Sequence, residues 1–434
     1  MKNLFQRLFI VALTSLTLLS CNSLRQTVLK QELKKIPDQS PVVSKYFLGF
    51  SLYDPESKKF LLDINGDKYF TPASNTKILT LATWLAMNQD QIPSFRYTIR
   101  NNNLYIEPLG DPTFLHPDFP IQDAFSFLED QVFDTLFIYQ STSKTSAFGS
   151  GWAWDDYNYA YQPERSVFPV YGNTLHVYTN SSIIQIVPSF FEPYVETNGE
   201  YAYRDYDFNL FQLPKVSSAQ AVSNETQIPF RTSDELITKL LQDTLFRPVL
   251  YLNQTPPKEL STFYGYNRLP VLAQMMLNSD NFLAEQLLIN AQLVQNFNSQ
   301  EAFLANTKKG LFKDLPQPLE WVDGSGLSRY NLFTPQSMIK VLEIIYRQLS
   351  WQEISLIFPK GGVSGTIKDW YGAETPYVFA KTGTLRHNHC LSGYIITKSG
   401  KRLIFSFMNN HYTNGTTEVK QEMQKILEAI RDAY

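Results

Sequence analysis

The sequence predicts an α+β fold: one antiparallel sheet flanked by helices, with a helical subdomain, interrupted by an inserted mostly-β domain. Three observations lead there. A two-strand alternation covers residues 45–64, and a three-strand meander with an amphipathic helix covers residues 377–433. Helical periodicity dominates from about 232 to 349. Between the first hairpin and that helical block, residues 94–227 change texture, with short β-like runs set among turn-rich aromatic stretches. Joining the strands at the two ends into one sheet is the simplest closure, with the last helix on one face and the helix after residue 74 on the other.

The elements follow in order. Lys2 and Arg7, the apolar run 8–19 and the small Ser20 predict a cleaved export signal over residues 1–20. The run is too short to span a bilayer as a mature helix. Leu18-Leu19-Ser20-Cys21 resembles the lipobox of bacterial lipoproteins, which implies an acylated Cys21 and an exported, periplasmic, membrane-anchored lipoprotein. Residues 21–44 then serve as lipidated N-terminus and linker, with a short surface helix over 24–35. Only one other cysteine exists, Cys390, so no structural disulfide is expected.

Residues 45–53 and 59–64 alternate as a hairpin around Asp54-Pro55-Glu56-Ser57. A helix begins near Ser74 and runs to about Asn88. In the insert, 95–99, 103–108, 135–140 and 174–179 read as strands. The core is expected to comprise 45–93 and 228–434. Within it, Ser233 heads a helix over 234–242, further helices cover 268–277, 282–289, 300–311 and 336–349, and strands cover 377–385, 390–397 and 401–408. The turn between the first two of these strands is placed at Arg386-His387-Asn388-His389.

Composition narrows the function. With 434 residues, 43% of them hydrophobic, the chain has ample core for two or three domains. A net charge of -3 speaks against nucleic-acid binding, which needs a basic excess. The 25 tyrosines and 31 phenylalanines are read chiefly as β-rich packing, with a carbohydrate-stacking surface as the lesser alternative.

Chemistry concentrates in three stretches. In Thr71-Pro72-Ala73-Ser74-Asn75-Thr76-Lys77, Pro72 disfavours helix before it and an apolar run follows. Ser74 and Lys77 then share a helix face one turn apart, giving a hydroxyl, free backbone N–H groups and an amine together. Ser141/Lys144 and Ser337/Lys340 have the same spacing, but neither heads a helix apolar enough to be buried. Ser279-Asp280-Asn281 sits in a polar break between helical runs, where it can present a hydroxyl and an amide; read alone, a helix cap is the preferred reading. Lys381-Thr382-Gly383-Thr384 lies on a strand and alternates a cation and hydroxyls with a residue lacking a side chain, so that a substrate backbone can approach closely and a carboxylate can be held. Asp323-Gly324-Ser325-Gly326-Leu327-Ser328-Arg329 reads as a turn-forming loop.

In this order, Ser-x-x-Lys, Ser-Asp-Asn and Lys-Thr-Gly resemble the signature of penicillin-binding proteins and serine β-lactamases. The long gap from Lys77 to Ser279 is similar to the class C low-molecular-mass penicillin-binding proteins, the D-alanyl-D-alanine carboxypeptidase/endopeptidase family of penicillin-binding-protein-4 type. Gly110-Asp111-Pro112-Thr113, the 323–328 loop and Gly362-Val363-Ser364-Gly365-Thr366 also resemble that family's stretches.

The resemblance implies a serine β-lactamase/transpeptidase-like core and a serine hydrolase acting on the D-Ala-D-Ala end of peptidoglycan stem peptides, and on cross-links by the same chemistry. It implies Ser74 as nucleophile, Lys77 as a base made neutral by burial and by the nearby Lys381 charge, Ser279 as proton relay and Asn281 as positioner. Lys381, Thr382 and Thr384 would bind the substrate carboxylate, with Gly383 between them, and the N–H groups of Ser74 and Thr384 would hold the oxyanion. β-Lactams would acylate Ser74. No cofactor or metal is implied, since His387, His389 and Cys390 lack an evident fourth ligand.

The insert, about 130 residues by this count, is expected to be one compact unit. Two alternatives carry distinct requirements. A β-lactamase of related fold needs a water-activating glutamate loop, which is not recognisable. A non-catalytic cell-wall-binding lipoprotein has no need of Ser74, Lys77, Ser279, Asn281 and Lys381.

Overall fold

The computed structural model describes residues 27–28, 31–32, 34–35, 39–143, 145–180, 183–215, 224–413 and 415–434. The expected export signal and Cys21 lie outside the described residues, as do parts of the helix expected over 24–35. Strands β1 (Phe47–Asp54) and β2 (Lys59–Ile64) form the hairpin, and a 3-10 turn, Ala73–Thr76, leads into helix α1 (Lys77–Leu85). Next come β3 (Gln91–Arg100), β4 (Asn103–Pro108), α2 (Asp123–Asp130) and β5 (Leu136–Tyr139). The short strands β6 (Thr174–Asn180), β7 (Ile183–Val187), β8 (Val195–Gly199), β9 (Tyr203–Arg204), β10 (Phe211–Pro214) and β11 (Asn224–Pro229) follow. Then α3 (Asp234–Leu245), β12 (Val249–Leu252) and β13 (Ser261–Asn267) lead to helices α4 (Arg268–Leu277), α5 (Asn281–Val294), α6 (Gln300–Lys309), α7 (Pro335–Gln348) and α8 (Trp351–Ile357). Strands β14 (Val378–Leu385), β15 (Asn388–Ile396) and β16 (Arg402–Asn410) precede the last helix, α9 (Thr416–Ala433).

The two ends of the chain close one antiparallel sheet in the order β14-β15-β16-β1-β2. Its alternation sorts side chains to two apolar faces. Leu48, Phe50, Leu391 and Phe405 meet Val419, Met423, Leu427 and Ile430 of α9 on one face. Tyr53, Tyr394, Ile404 and Met408 meet α1 and Ile339, Leu342 and Ile345 of α7 on the other. Because α1 is enclosed between this sheet and α5, all nine of its residues are buried, polar ones included. Thr334 caps α7 and Pro335 opens it, as their sequence positions suggest.

Strand pairing corrects one expected boundary. The core does not resume at residue 228. Strands β12 and β13 form the two edges of a five-stranded sheet, β12-β5-β4-β3-β13, and α3 packs Ile237, Leu240 and Leu241 into the apolar cluster that holds Phe95, Ile106 and Phe211. Residues up to Asn267 therefore pack with the insert, and Arg268 begins the return. Edge strands with one partner each carry weak patterns of their own, and the sequence alone marks no element at residues 249–252 or 261–267. The 386–389 turn is also shorter than expected. Leu385 pairs with Asn388, leaving Arg386 and His387 as a two-residue loop with His387 at φ 68°.

Candidate active site

The 3-10 turn places Ser74 one turn before Lys77, with Ala73 held at φ 49° just ahead of it. Lys77 Nζ donates to Ser74 Oγ at 3.1 Å, to Asn281 Oδ1 at 2.6 Å and to the Ser325 carbonyl at 2.8 Å. Burial pulls its ammonium down to about 8, against the opposing charges of Asp280, Asp323 and Glu285. Near neutrality, about a tenth of Lys77 is then a free amine, whose lone pair can take the Ser74 proton. Burial is the dominant cause, and the repulsion expected between Lys77 and Lys381 is felt on the Lys381 side.

Ser279, at φ 57°, occupies the break between α4 and α5, and Lys381 Nζ donates to its Oγ at 2.8 Å. Burial first, and then the neighbouring Lys77, hold the Lys381 ammonium well below its ordinary value. Asp280 caps α5 through the Leu283 N–H at 2.8 Å, so the Ser-Asp-Asn break is both a cap and a presenter of polar groups. Asn281 also donates to the Tyr161 carbonyl at 2.8 Å, tying the site to the insert.

Strand β14 closes the other side. A Cβ on Gly383 would lie 2.2 Å from the Pro72 carbonyl oxygen and 3.0 Å from the Ser74 nitrogen. Glycine is needed there because the nucleophile's own turn packs against the strand. Asn75 Nδ2 donates to the Lys381 carbonyl at 2.8 Å and fixes the same contact. Thr382 Oγ1 meets Thr366 Oγ1 at 2.6 Å, and Thr384 Oγ1 meets His389 Nδ1 at 2.8 Å. Burial lowers the His389 imidazolium to about 3, so this partner is neutral. His387 Nδ1 lies 3.0 Å from the Tyr412 carbonyl, and the buried Cys390 thiol faces the Thr71 carbonyl. Among the described residues, no group of three or more His, Cys, Asp or Glu is placed to hold a metal ion.

The loop read as a plain turn forms the floor. Asp323 accepts from the Gly326 and Ser328 N–H groups at 2.9 and 2.7 Å, and the Ser325 N–H donates to Glu285 at 2.7 Å. These bonds aim the Ser325 carbonyl at Lys77. A Cβ on Gly326, whose φ is 86°, would lie 1.9 Å from the Ala73 carbonyl oxygen. Gly326→Ala is therefore expected to displace the Ser74 turn and cut acylation at least 10²-fold, a cost typical of misplaced reacting groups. Labelled-penicillin kinetics beside thermal unfolding would check this, and wild-type acylation in the variant would contradict it.

Sequence reasoning did not find the insert's share of the site. Trp152 Nε1 donates to Asp323 at 2.9 Å, and the Arg165 guanidinium lies over the Trp152 ring at 5.3 Å. Trp152, Asp156 and Tyr161 line a cleft of about 550 Å³ with Ser74, Asn281 and Thr384. The Gly-Trp-Ala-Trp run was visible as an aromatic loop, but its contact with Asp323, 171 positions away, was not. Of the other Ser/Lys pairs, Ser337 donates to the Gln317 carbonyl while Lys340 pairs with Glu343, and Lys144 lies outside the described residues.

A serine hydroxyl bonded to a buried, partly neutral lysine and backed by a second lysine is the chemistry of a serine acyl-transfer enzyme. The chain belongs to the D-Ala-D-Ala carboxypeptidase 3 (S13) family, whose sequence profile matches residues 29–192 and 268–431. The unmatched span, 193–267, lies wholly within the insert. D-alanyl-D-alanine carboxypeptidase DacB of Haemophilus influenzae is 25% identical over 453 residues, covering 92% of each chain. Penicillin-sensitive carboxypeptidase A of Dictyostelium discoideum is 23% identical, covering 87% of this chain and 85% of its own. The crystal structure of penicillin-binding protein 4 from Haemophilus influenzae has the same fold, with a TM-score of 0.68 at 22% identity over 94% of this chain and 97% of that one.

Proposed function

We propose that Ser74, Lys77, Ser279, Asn281 and Lys381 carry the reaction of this chain, which as a member of its family is a serine-type D-Ala-D-Ala peptidase acting on peptidoglycan stem peptides. Ser74 Oγ attacks the carbonyl of the penultimate D-alanine as Lys77 Nζ takes its proton. The N–H groups of Ser74 and Thr384 hold the oxyanion, each worth about 3 kcal/mol in the transition state. Lys381, with Thr382 and Thr384, receives the terminal carboxylate, and Gly383 lets the strand lie close to the nucleophile. The proton reaches the departing D-alanine amine through Ser279, which the Lys381 amine already contacts. Asn281 keeps Lys77 in place, and water then releases the acyl group.

The carrying observation is Lys77 Nζ, shared between Ser74 Oγ and Asn281 Oδ1 with its ammonium pulled down to about 8. A β-lactam presents the same carbonyl and carboxylate in one strained ring, and the Haemophilus influenzae homologue has been solved in complex with one. The test is incubation with a stem pentapeptide and with cross-linked peptide dimers, followed by mass analysis of products. D-Alanine release from the pentapeptide is expected, and loss of that release on Ser74→Ala. Turnover that survives Ser74→Ala would overturn the assignment.

A peptidase with this substrate works outside the cytoplasm, in keeping with the basic and apolar leader. No described helix is long and apolar enough to cross a membrane. The Leu18-Leu19-Ser20-Cys21 stretch supports anchoring by lipid at Cys21. Cys21→Ser is expected to move the protein from the detergent phase to the aqueous phase, since acyl chains contribute about 0.8 kcal/mol per buried methylene. Equal aqueous partitioning of both forms would mean there is no lipid anchor.

A further inference from the structure

Buried rings such as Phe95, Phe191 and Phe211 fill the core of the insert, Tyr201 and Phe246 stand exposed elsewhere on it, and a further exposed group lies beside the catalytic cleft. Trp154 is 75% exposed, Phe208 65%, Tyr159 56% and Tyr206 54%, unusual values for large rings near one another. They connect. Tyr161 lines the Ser74 cleft, and its ring stacks on Tyr159 with centroids 5.3 Å apart. Trp154 lies two residues from Asp156, another cleft residue, and meets the Tyr206 ring edge-on at 6.4 Å. Tyr206 is braced by Tyr157 at 5.0 Å, and two residues further on Phe208 lines a separate groove of about 630 Å³.

Specific bonds hold these rings in place. The Arg204 guanidinium sits over the Tyr157 ring at 5.2 Å and donates to the carbonyls of Asp205 and Tyr206. Asp205 Oδ1 accepts from the N–H groups of Asp207 and Phe208. Arg231 donates to the Tyr206 and Asp207 carbonyls from the far side. Rings kept exposed by a buried arginine and a closed turn are presented to something.

We infer that this file of rings is a docking track for the glycan chain that bears the stem peptides, an uncharged β-linked amino-sugar polymer leading away from the catalytic cleft. The inference rests on the DD-peptidase reading of that cleft. The track is continuous with the cleft, so a chain attached to a bound stem peptide has to leave along some surface that begins there. Its chemistry fits pyranose rings, whose C–H faces stack on aromatic faces while their hydroxyl and acetamido groups need polar neighbours. Asp155, Asp156, Asp205 and Asp207 lie among the rings and can supply those hydrogen bonds. Arg231 pairs with Asp207 at 3.7 Å and Arg204 lies under the same turn, so the track has only a small negative excess, which suits an uncharged polymer better than an anionic one.

The test uses full-length protein carrying Trp154→Ala or Phe208→Ala, with Trp154→Phe as the conservative control. Three measurements are made: affinity for a hexamer of β-1,4-linked N-acetylglucosamine, D-alanine release from intact sacculi, and D-alanine release from a soluble stem pentapeptide. Wild type is expected to bind the hexamer. Each alanine variant should lose about 10-fold in hexamer affinity and in sacculus turnover while keeping pentapeptide turnover and penicillin acylation. Trp154→Phe should recover most of both losses. Unchanged hexamer binding and sacculus turnover in the alanine variants would overturn the track, and would instead suit a protein partner. Equal loss on pentapeptide and sacculi would overturn it as well, marking the rings as structural. Failure of the DD-peptidase reading is separately visible, as wild type lacking both the penicillin adduct and D-alanine release, while hexamer affinity can still be read.

Discussion

Acylation by a labelled penicillin is expected to fall about 10³-fold in Lys77→Ala, the middle of the range for losing a positioned general base. Lys77→Arg should be equally impaired, because a guanidinium keeps the charge but cannot give up its proton near neutrality. Wild-type acylation should rise roughly tenfold per pH unit up to about 8, where the Lys77 ammonium is titrated, and then level. Below that value the amine is protonated and cannot accept the Ser74 proton. Residual acylation in Lys77→Ala should lack this limb. Stopped-flow acylation from pH 5 to 9 gives all of these, and an unchanged limb in Lys77→Ala would assign the titration to another group.

The second large effect is a contrast between substrates. Lys381 is fully buried, and its amine contacts Ser279 Oγ and the Thr382 carbonyl, so among its described contacts no carboxylate balances it. A substrate carboxylate arriving there completes a desolvated ion pair, and removing one partner of such a pair costs several kcal/mol, here about 3 to 5. Lys381→Ala should therefore slow acylation by carboxylate-bearing substrates about 10²- to 10⁴-fold more than by an amide analogue. Removing one of two neighbouring ammonium groups also relieves the other, so the Lys77 limb should move to higher pH. Acylation rate against pH for both substrates is the check. A uniform loss with no shift would make Lys381 structural.

The parts legible in the sequence were those whose side-chain identity is itself the chemistry. Ser74 with Lys77, Ser279 with Asn281, and Lys381 through Thr384 arrive at one place, with bonds of 2.6 to 3.1 Å linking three of them to Lys77 or Lys381. The meander and last helix were legible because alternation and 3.6-residue periodicity were strong there. Less legible were groups that act through backbone or through contacts between distant segments. The Ser325 carbonyl that orients Lys77 has no side-chain signature. Gly383 was read as leaving room for substrate, whereas it leaves room for the Pro72–Ser74 turn. His389 was counted with the turn, yet it lies within β15, opposite Thr384, whose hydroxyl it meets. Strands β12 and β13 gain their identity from the sheet they edge.

The central claim, that Ser74 is the nucleophile of a lysine-assisted acylation, is tested most directly by intact-mass and peptide mapping after exposure to penicillin. The account predicts one adduct of the full mass of the drug, located on the peptide containing Ser74 and absent from Ser74→Ala. An adduct of equal yield in Ser74→Ala, or one mapped to Ser279 or Ser337, would contradict it.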